Sequence, residues 1–243
     1  MGLLKNIIRE AFILSKIDIT KNIEYDRITR LILKKLLKTN SNCIDVGCHK
    51  GDILRLFLKY APYGTHYAFE PLPHLYSELV KKYNSKAKIF PYALSDKEGR
   101  SSFQYVKNAP AYSGIKRRRY DISSPEIEEI EVEVRSLDLL IPDTERIDFL
   151  KIDVEGGEFP VLKGAINLLK SSKPTILFES GRGASDFYGT DANSLFEFLN
   201  DEIGLKIFTL KSFVSNRQPA TKQQFEYYFN SNEEFCFIAS NLL

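Results

Sequence analysis

Three observations predict an α/β fold built on a doubly wound, mainly parallel sheet. Apolar runs of strand length alternate with amphipathic runs of helix length along most of the chain, the rhythm that lays helices on both faces of a parallel sheet. The first of these apolar runs opens onto a loop bounded by Gly47 and Gly51. Three runs end in a carboxylate, Glu70, Asp153 and Glu179, at the strand ends beyond which open α/β sheets gather their ligands.

At the amino end, Leu3, Leu4, Ile7, Ile8, Ala11, Phe12 and Leu14 recur at helical spacing with Lys5, Arg9, Glu10 and Lys16 between them, an amphipathic helix over residues 2–16. Two readings of its apolar face stand: it packs on its own domain, or it lies against a membrane surface or a partner copy. Gly2 suggests myristoylation, but Asn6 stands where that pattern takes Ser or Thr. A second helix is expected over residues 26–38, stopping at the polar Thr39-Asn-Ser-Asn42. Residues 1–40 then form a helical extension, and residues 41–243 the main domain.

Cys43-Ile-Asp-Val46 reads as the first strand, Gly47-Cys-His-Lys-Gly51 as its loop and residues 52–60 as a helix. Gly47 permits a sharp turn and close approach of a ligand, and Gly51 lets the helix start pack against the strand. The spacing D-x-G-x-x-x-G is neither the GxGxxG of nicotinamide enzymes nor a phosphate-binding P-loop. Residues 66–69 form the second strand. Glu70 follows it at the distance where such folds place an acid on ribose hydroxyls, the alternative being a cap for the helix after Pro71.

A third strand is expected over residues 88–93, with Ser95-Asp-Lys-Glu-Gly99 turning into residues 100–106. Asp96 in that turn either faces an adenine or serves the turn itself. Residues 127–134 alternate Ile or Val with Glu, a half-solvated strand paired with residues 100–106. Between them, Ala109-Pro-Ala-Tyr-Ser-Gly114 and Lys116-Arg-Arg-Arg119 form a loop near the site edge. That basic run is either a solvated stretch or a contact for an anionic or phosphorylated acceptor. Phe149, Leu150, Ile152 and Val154 read as the fourth core strand, followed by a helix over residues 160–169. Residues 174–179 supply a fifth strand, residues 191–200 a helix, and residues 205–210 and 235–239 a late hairpin-like pair that places one strand antiparallel.

Composition narrows the function. Lys plus Arg number 34 against 32 Asp plus Glu, a formal net charge of +2 that provides no broad nucleic-acid-binding face. The expected partner is a small molecule or glycan. Cys43, Cys48 and Cys236 form no CxxC pair and leave one unpaired in any scheme, which points to a reducing, cytoplasmic setting. No apolar run reaches the roughly 20 residues needed to span a bilayer, and no signal-peptide cleavage pattern is present.

The blocks Asp45-Val-Gly-Cys-His-Lys-Gly51, Phe69-Glu-Pro71, Leu137-Asp138 and Lys151-Ile-Asp-Val-Glu-Gly-Gly-Glu158 stand in this order. Over residues 42–179 the chain thereby resembles the FkbM family of S-adenosylmethionine-dependent methyltransferases. The resemblance implies a Rossmann-like methyltransferase sheet, S-adenosyl-L-methionine as cofactor, and O-methylation of a sugar, glycan or glycolipid, or secondary metabolite. It also implies that Asp45, Gly47 and Gly51, with Cys48 and His49 between the glycines, hold the methionine end of the cofactor. Glu70 would bind the ribose, and Asp153 and Glu155 would line the transfer site. Cys48 and His49 replace the Ala and Asn usual in the family loop.

The chemistry asks for a proton acceptor, because a hydroxyl must lose its proton as it is methylated. Asp153 is the first choice of general base and Glu155 the second. Alternatively Asp153, Glu155 and Glu179 offer oxygen ligands to a hard divalent ion such as Mg²⁺. Lys151 either snorkels or pairs with an acid, and Glu158 suits a helix N-terminus. His49 reads as a catalytic or a backbone-bonding histidine, and Cys48 as a packing residue. Two other classes compete: a nicotinamide-dependent oxidoreductase, against which the glycine spacing argues, and a non-catalytic binding protein, against which the three strand-end acids argue.

Overall fold

The computed structural model describes Ile13 and residues 18–242. The amphipathic helix expected over residues 2–16 and the lipidation reading at Gly2 lie outside the described residues, except that Ile13 is helical and buried. The second helix starts earlier than its apolar pattern indicates, spanning Lys21–Leu36, because Thr20 caps it by accepting from the Ile23 amide at 3.3 Å. Its Tyr25, Ile28, Ile32 and Leu33 pack into a core with Phe57, Phe149, Phe208 and Phe213. The described part of the amino-terminal extension is thus seated on the main sheet. No described helix is long and apolar enough to cross a membrane.

The strands are β1 (Cys43–Val46), β2 (His66–Phe69), β3 (Lys88–Phe90), β4 (Tyr92–Leu94), β5 (Gly99–Val106), β6 (Ile127–Arg135), β7 (Phe149–Ile152), β8 (Thr175–Glu179), β9 (Lys206–Thr209) and β10 (Cys236–Ser240). Seven of them form one sheet in the order β3-β2-β1-β7-β8-β10-β9. All its pairings are parallel except those of β10, which runs antiparallel to β8 and β9. This is the doubly wound, mainly parallel Rossmann-like sheet with one late antiparallel strand. Strands β1, β2 and β7 are buried along their whole length, as central strands covered on both faces must be.

Three departures from the periodicity have local causes. The single strand expected over residues 88–93 divides at Pro91: β3 stays in the main sheet, while β4 joins a smaller sheet ordered β4-β6-β5. Proline has no amide to donate to a ladder, so the chain changes sheets there. The expected pairing of residues 100–106 with 127–134 is present, with Phe103 opposite Ile130. The helix expected over residues 160–169 is two short ones, Glu158–Lys163 and Ile166–Ser172, separated at Gly164. A Cβ at Gly164 would lie 2.2 Å from the Ser95 carbonyl oxygen. Asp138 then caps the second piece, its carboxylate accepting from the Asn167 and Leu168 amides at 2.9 Å each. Lastly, β9 and β10 are neighbours but not a tight hairpin, since helices Leu210–Val214 and Lys222–Ser231 lie between them.

Because β1, β2, β7 and β8 run parallel, the loops that leave them emerge at one edge of the sheet. Residues 47–51, 70–72, 153–157 and 180–182 meet there.

Candidate active site

The floor of this edge is set by one backbone contact. Gly47 has φ +71°, and a Cβ on it would lie 1.8 Å from the carbonyl oxygen of Asp153. Only glycine lets the loops after β1 and β7 touch in this way. Beneath the contact, Lys151 is 7% exposed and donates to the carbonyls of Gly47 at 2.7 Å and Val46 at 3.2 Å. Its ammonium also lies 3.2 Å from Asp45 and 3.5 Å from Asp153. Burial disfavours its charge, but the two carboxylates outweigh burial and hold the pKa above the ordinary lysine range.

Asp45, expected to hold cofactor, is spent inside the protein: besides Lys151, its carboxylate accepts from the Leu54 amide at 3.1 Å. It fastens the β1 loop to the helix Asp52–Tyr60 and does not line the cavity described next. Gly51 and Cys48 are also structural. Gly51 has φ +78° and abuts Leu79 and Tyr83, while Cys48 packs with Leu54, Ala68, Leu79 and Tyr83 and burial raises its thiol pKa far above the usual range. All three cysteines are free and buried.

A cavity of about 140 Å³ opens over Gly47. Its walls include the apolar Val46, Leu72, Phe103 and Val154 together with His49 and Glu70. Glu70 is 4% exposed; Oε2 accepts from the His49 amide at 2.8 Å and Oε1 from the Leu72 amide at 3.0 Å. The carboxylate therefore braces both the first loop and the turn into the next helix, but it does not cap that helix, whose N-cap is Leu72. Each oxygen keeps a second acceptor position for a ligand hydroxyl. Burial pushes its pKa up to about 7, against the two amides that favour the charge. His49 has φ +50°, and burial lowers its pKa, leaving a neutral imidazole whose Nε2 has no partner among the described residues. Asp96 does not line the cavity; its neighbour Ser95 does, and the Asp96 carboxylate pairs with Lys163 at 3.4 Å.

The segment after β7 is shaped by Glu158. Buried to 2% exposure, it accepts from the amides of Val154 at 3.0 Å and Gly156 at 3.2 Å, both on Oε1. Burial raises its pKa to about 7. Glu155 takes the left-handed conformation, φ +61°, and its carboxylate is ion-paired with Arg118. Asp153 and Glu155 both line the first cavity and a second, polar one of about 380 Å³, but the Asp153 side chain is the more exposed, at 38%. The second cavity also holds Glu179, Arg118 and Arg119. Burial, then the carboxylates of Asp153 and Glu158, push the Glu179 pKa well above the ordinary range.

Part of the site carries no motif. Residues 110–115 fold over the first cavity and Tyr188 closes its side, its hydroxyl accepting from the Lys116 amide at 3.0 Å. The basic run is tethered yet largely exposed: Lys116, Arg117 and Arg119 are exposed, while Arg117 donates to Gln104, Arg118 holds Glu155, and the Arg119 amide donates to the Gly183 carbonyl at 2.8 Å. Among the described residues no three or more His, Cys, Asp or Glu side chains are grouped to hold a metal ion, and Glu155 is already engaged by Arg118.

The family model for the methyltransferase FkbM domain matches residues 45–206. No curated protein matches the chain. Among solved structures, the methyltransferase FkbM from Methylobacillus flagellatus KT is 15% identical over 84% of this chain and 44% of its own, with a TM-score of 0.46. The chain thus spans less than half the length of that relative. A Streptococcus mutans protein solved in complex with SAH is 11% identical over 91% of this chain and 98% of its own, TM-score 0.47. The sugar N-methyltransferase KedS8 from Streptoalloteichus is 8% identical over 62% of this chain and 44% of its own, TM-score 0.31.

Proposed function

The chain belongs to the FkbM methyltransferase family, and on that premise we propose that it is an S-adenosylmethionine-dependent O-methyltransferase acting on a hydroxyl of a sugar, glycan or secondary metabolite. Two carboxylates, Asp153 and Glu155, border both the space for a cofactor and the space for an acceptor. The observation that carries this reading is that Glu155 is tied to Arg118, whereas Asp153, 38% exposed, faces both spaces without an arginine partner among the described residues. S-adenosylmethionine supplies a methyl group on a positively charged sulfur, which an acceptor oxygen displaces in line.

The residues present suit that cofactor. Glu70 offers two free acceptor positions to ribose hydroxyls, and Gly47 lines the same cavity, where its loop would meet the methionine end. Leu72 and Phe103 supply an apolar wall for a base. Asp153 takes the acceptor proton, a role worth about 10²- to 10⁴-fold in rate. Lys151, 3.5 Å away, holds that carboxylate in place. Glu155, tied to Arg118, is a positioning residue in this reading, not a second base.

Thermal melting with S-adenosylhomocysteine and with NAD tests the assignment. A ligand that binds only the folded chain adds about 2.7 kcal/mol of stability at a hundred times its Kd. S-adenosylhomocysteine is expected to raise Tm and NAD to leave it unchanged. A shift with NAD alone would sink the methyltransferase reading in favour of an oxidoreductase.

A further inference from the structure

Two arginines on the rim of the second cavity remain unused by the chemistry above. Arg119 belongs to the segment between β5 and β6, and Arg182 to the loop after β8. The amide of Arg119 donates to the Gly183 carbonyl at 2.8 Å, which brings the two segments together. Arg182 is pinned on both sides of its own peptide: its amide donates to the Phe229 carbonyl at 3.0 Å, and its carbonyl accepts from Asn232 Nδ2 at 2.9 Å.

Their side chains are differently placed from that of Arg118. Arg119 lies against Gly183, where a Cβ would sit 3.1 Å from its Cζ, and its sole ion pair among the described residues is a loose one with the exposed Asp121 at 3.6 Å. Arg182 is exposed and has no side-chain partner among the described residues. Two guanidinium forks with donors to spare, on anchored backbone, suit a phosphate or carboxylate.

The acids deeper in the cavity are engaged or buried, whereas the two guanidiniums stand at its rim. Glu155 is paired with Arg118, Asp153 shares the ammonium of Lys151 with Asp45, and burial raises the pKa values of Glu158 and Glu179, which disfavours their charged forms. A cavity of about 380 Å³ lies within the range of small-molecule sites, about 300–1,000 Å³.

Resting on the acceptor role assigned to this cavity under Proposed function, we propose that the acceptor is a polyhydroxylated molecule bearing an anionic group, a phosphate or a carboxylate, which Arg119 and Arg182 hold at the rim while a hydroxyl reaches Asp153. The arginines are recognition residues that set which acceptors enter.

The full chain saturated with S-adenosylhomocysteine is titrated calorimetrically with glucose 1-phosphate, glucuronate and glucose. At least one of the two anions is expected to bind about tenfold tighter than glucose, and which one separates phosphate from carboxylate recognition. In the double variant Arg119→Gln/Arg182→Gln that preference disappears while S-adenosylhomocysteine affinity is retained, which also shows that the variant is folded. Arg182→Gln alone, at an exposed position, weakens the preference in the same direction. Equal binding of all three sugars, no binding of either anion up to about 10 mM, or an unchanged preference in the double variant overturns the proposal. Failure of the parent chain to bind S-adenosylhomocysteine overturns instead the methyl-transfer reading.

Discussion

Asp153 and Glu70 show how one functional group, the carboxylate, takes two roles through its surroundings. Asp153 stays partly exposed between two cavities, whereas Glu70 is buried and braced by two amides. Asp153→Asn keeps the shape and removes the base, so turnover on the true acceptor should fall by about 10²-fold or more with S-adenosylhomocysteine affinity unchanged. Single-turnover rates and calorimetry read the two effects separately, and near-normal turnover would remove Asp153 from the mechanism. Glu70 titrates at about 7, and ribose hydroxyls donate to its ionised form more strongly than to its acid form. Cofactor affinity should therefore rise with pH through about 7 and then level off. Glu70→Gln should weaken binding by about tenfold at high pH and flatten the profile.

At the scale of elements, the site depends on loops that touch. Gly47 couples the ends of β1 and β7, so Gly47→Ala forces a Cβ into the Asp153 carbonyl in a backbone region that side chains avoid. A loss of about 2 kcal/mol or more in urea denaturation is expected, together with loss of cofactor binding. A variant as stable as the parent would mean that the two loops can separate freely. The same contacts explain what could be read in advance. Gly47, Glu70, Asp153 and Glu155 were visible because each sits at a fixed offset from an apolar strand. Asp45, Cys48 and Gly51 share that loop but face inward, and Asp96 pairs with Lys163, facts that depend on which neighbouring helix lies beneath. Residues 109–114 were legible as a loop near the site edge, but that they form its roof, and that Tyr188 closes its side, was not, since a roof is made by contacts between distant segments.

For the molecule as a whole, buried acids link stability to pH. The folded pKa of Glu158, about 7, lies above its ordinary 4.5. Between those values the folded chain binds more protons than the unfolded one, so stability falls as pH rises through that window, and Glu70 contributes with the same sign. The Tm of the ligand-free chain should decline from about pH 5 to about pH 7.5, with a shallower slope in Glu158→Gln. One oxygen of Glu158 accepts both backbone amides, which a glutamine oxygen can also do, whereas Glu158→Ala strands two buried donors at about 1–3 kcal/mol each. A melting temperature independent of pH across this range would contradict the burial argument.

Alternation of apolar and polar residues, and glycines and acids placed at strand ends, were enough by themselves to determine the α/β sheet, its antiparallel late strand and the edge where the candidate site lies. Those are short-range properties, set by backbone periodicity and by what each residue type permits. Tertiary structure alone decided that Pro91 moves the chain between sheets, that Lys151 joins Asp45 to Asp153, and that a basic run, though largely exposed, is tethered to Glu155 and Gly183. Each depends on burial and pairing between residues far apart in the chain, and a charge has no assigned partner until the fold brings one to it.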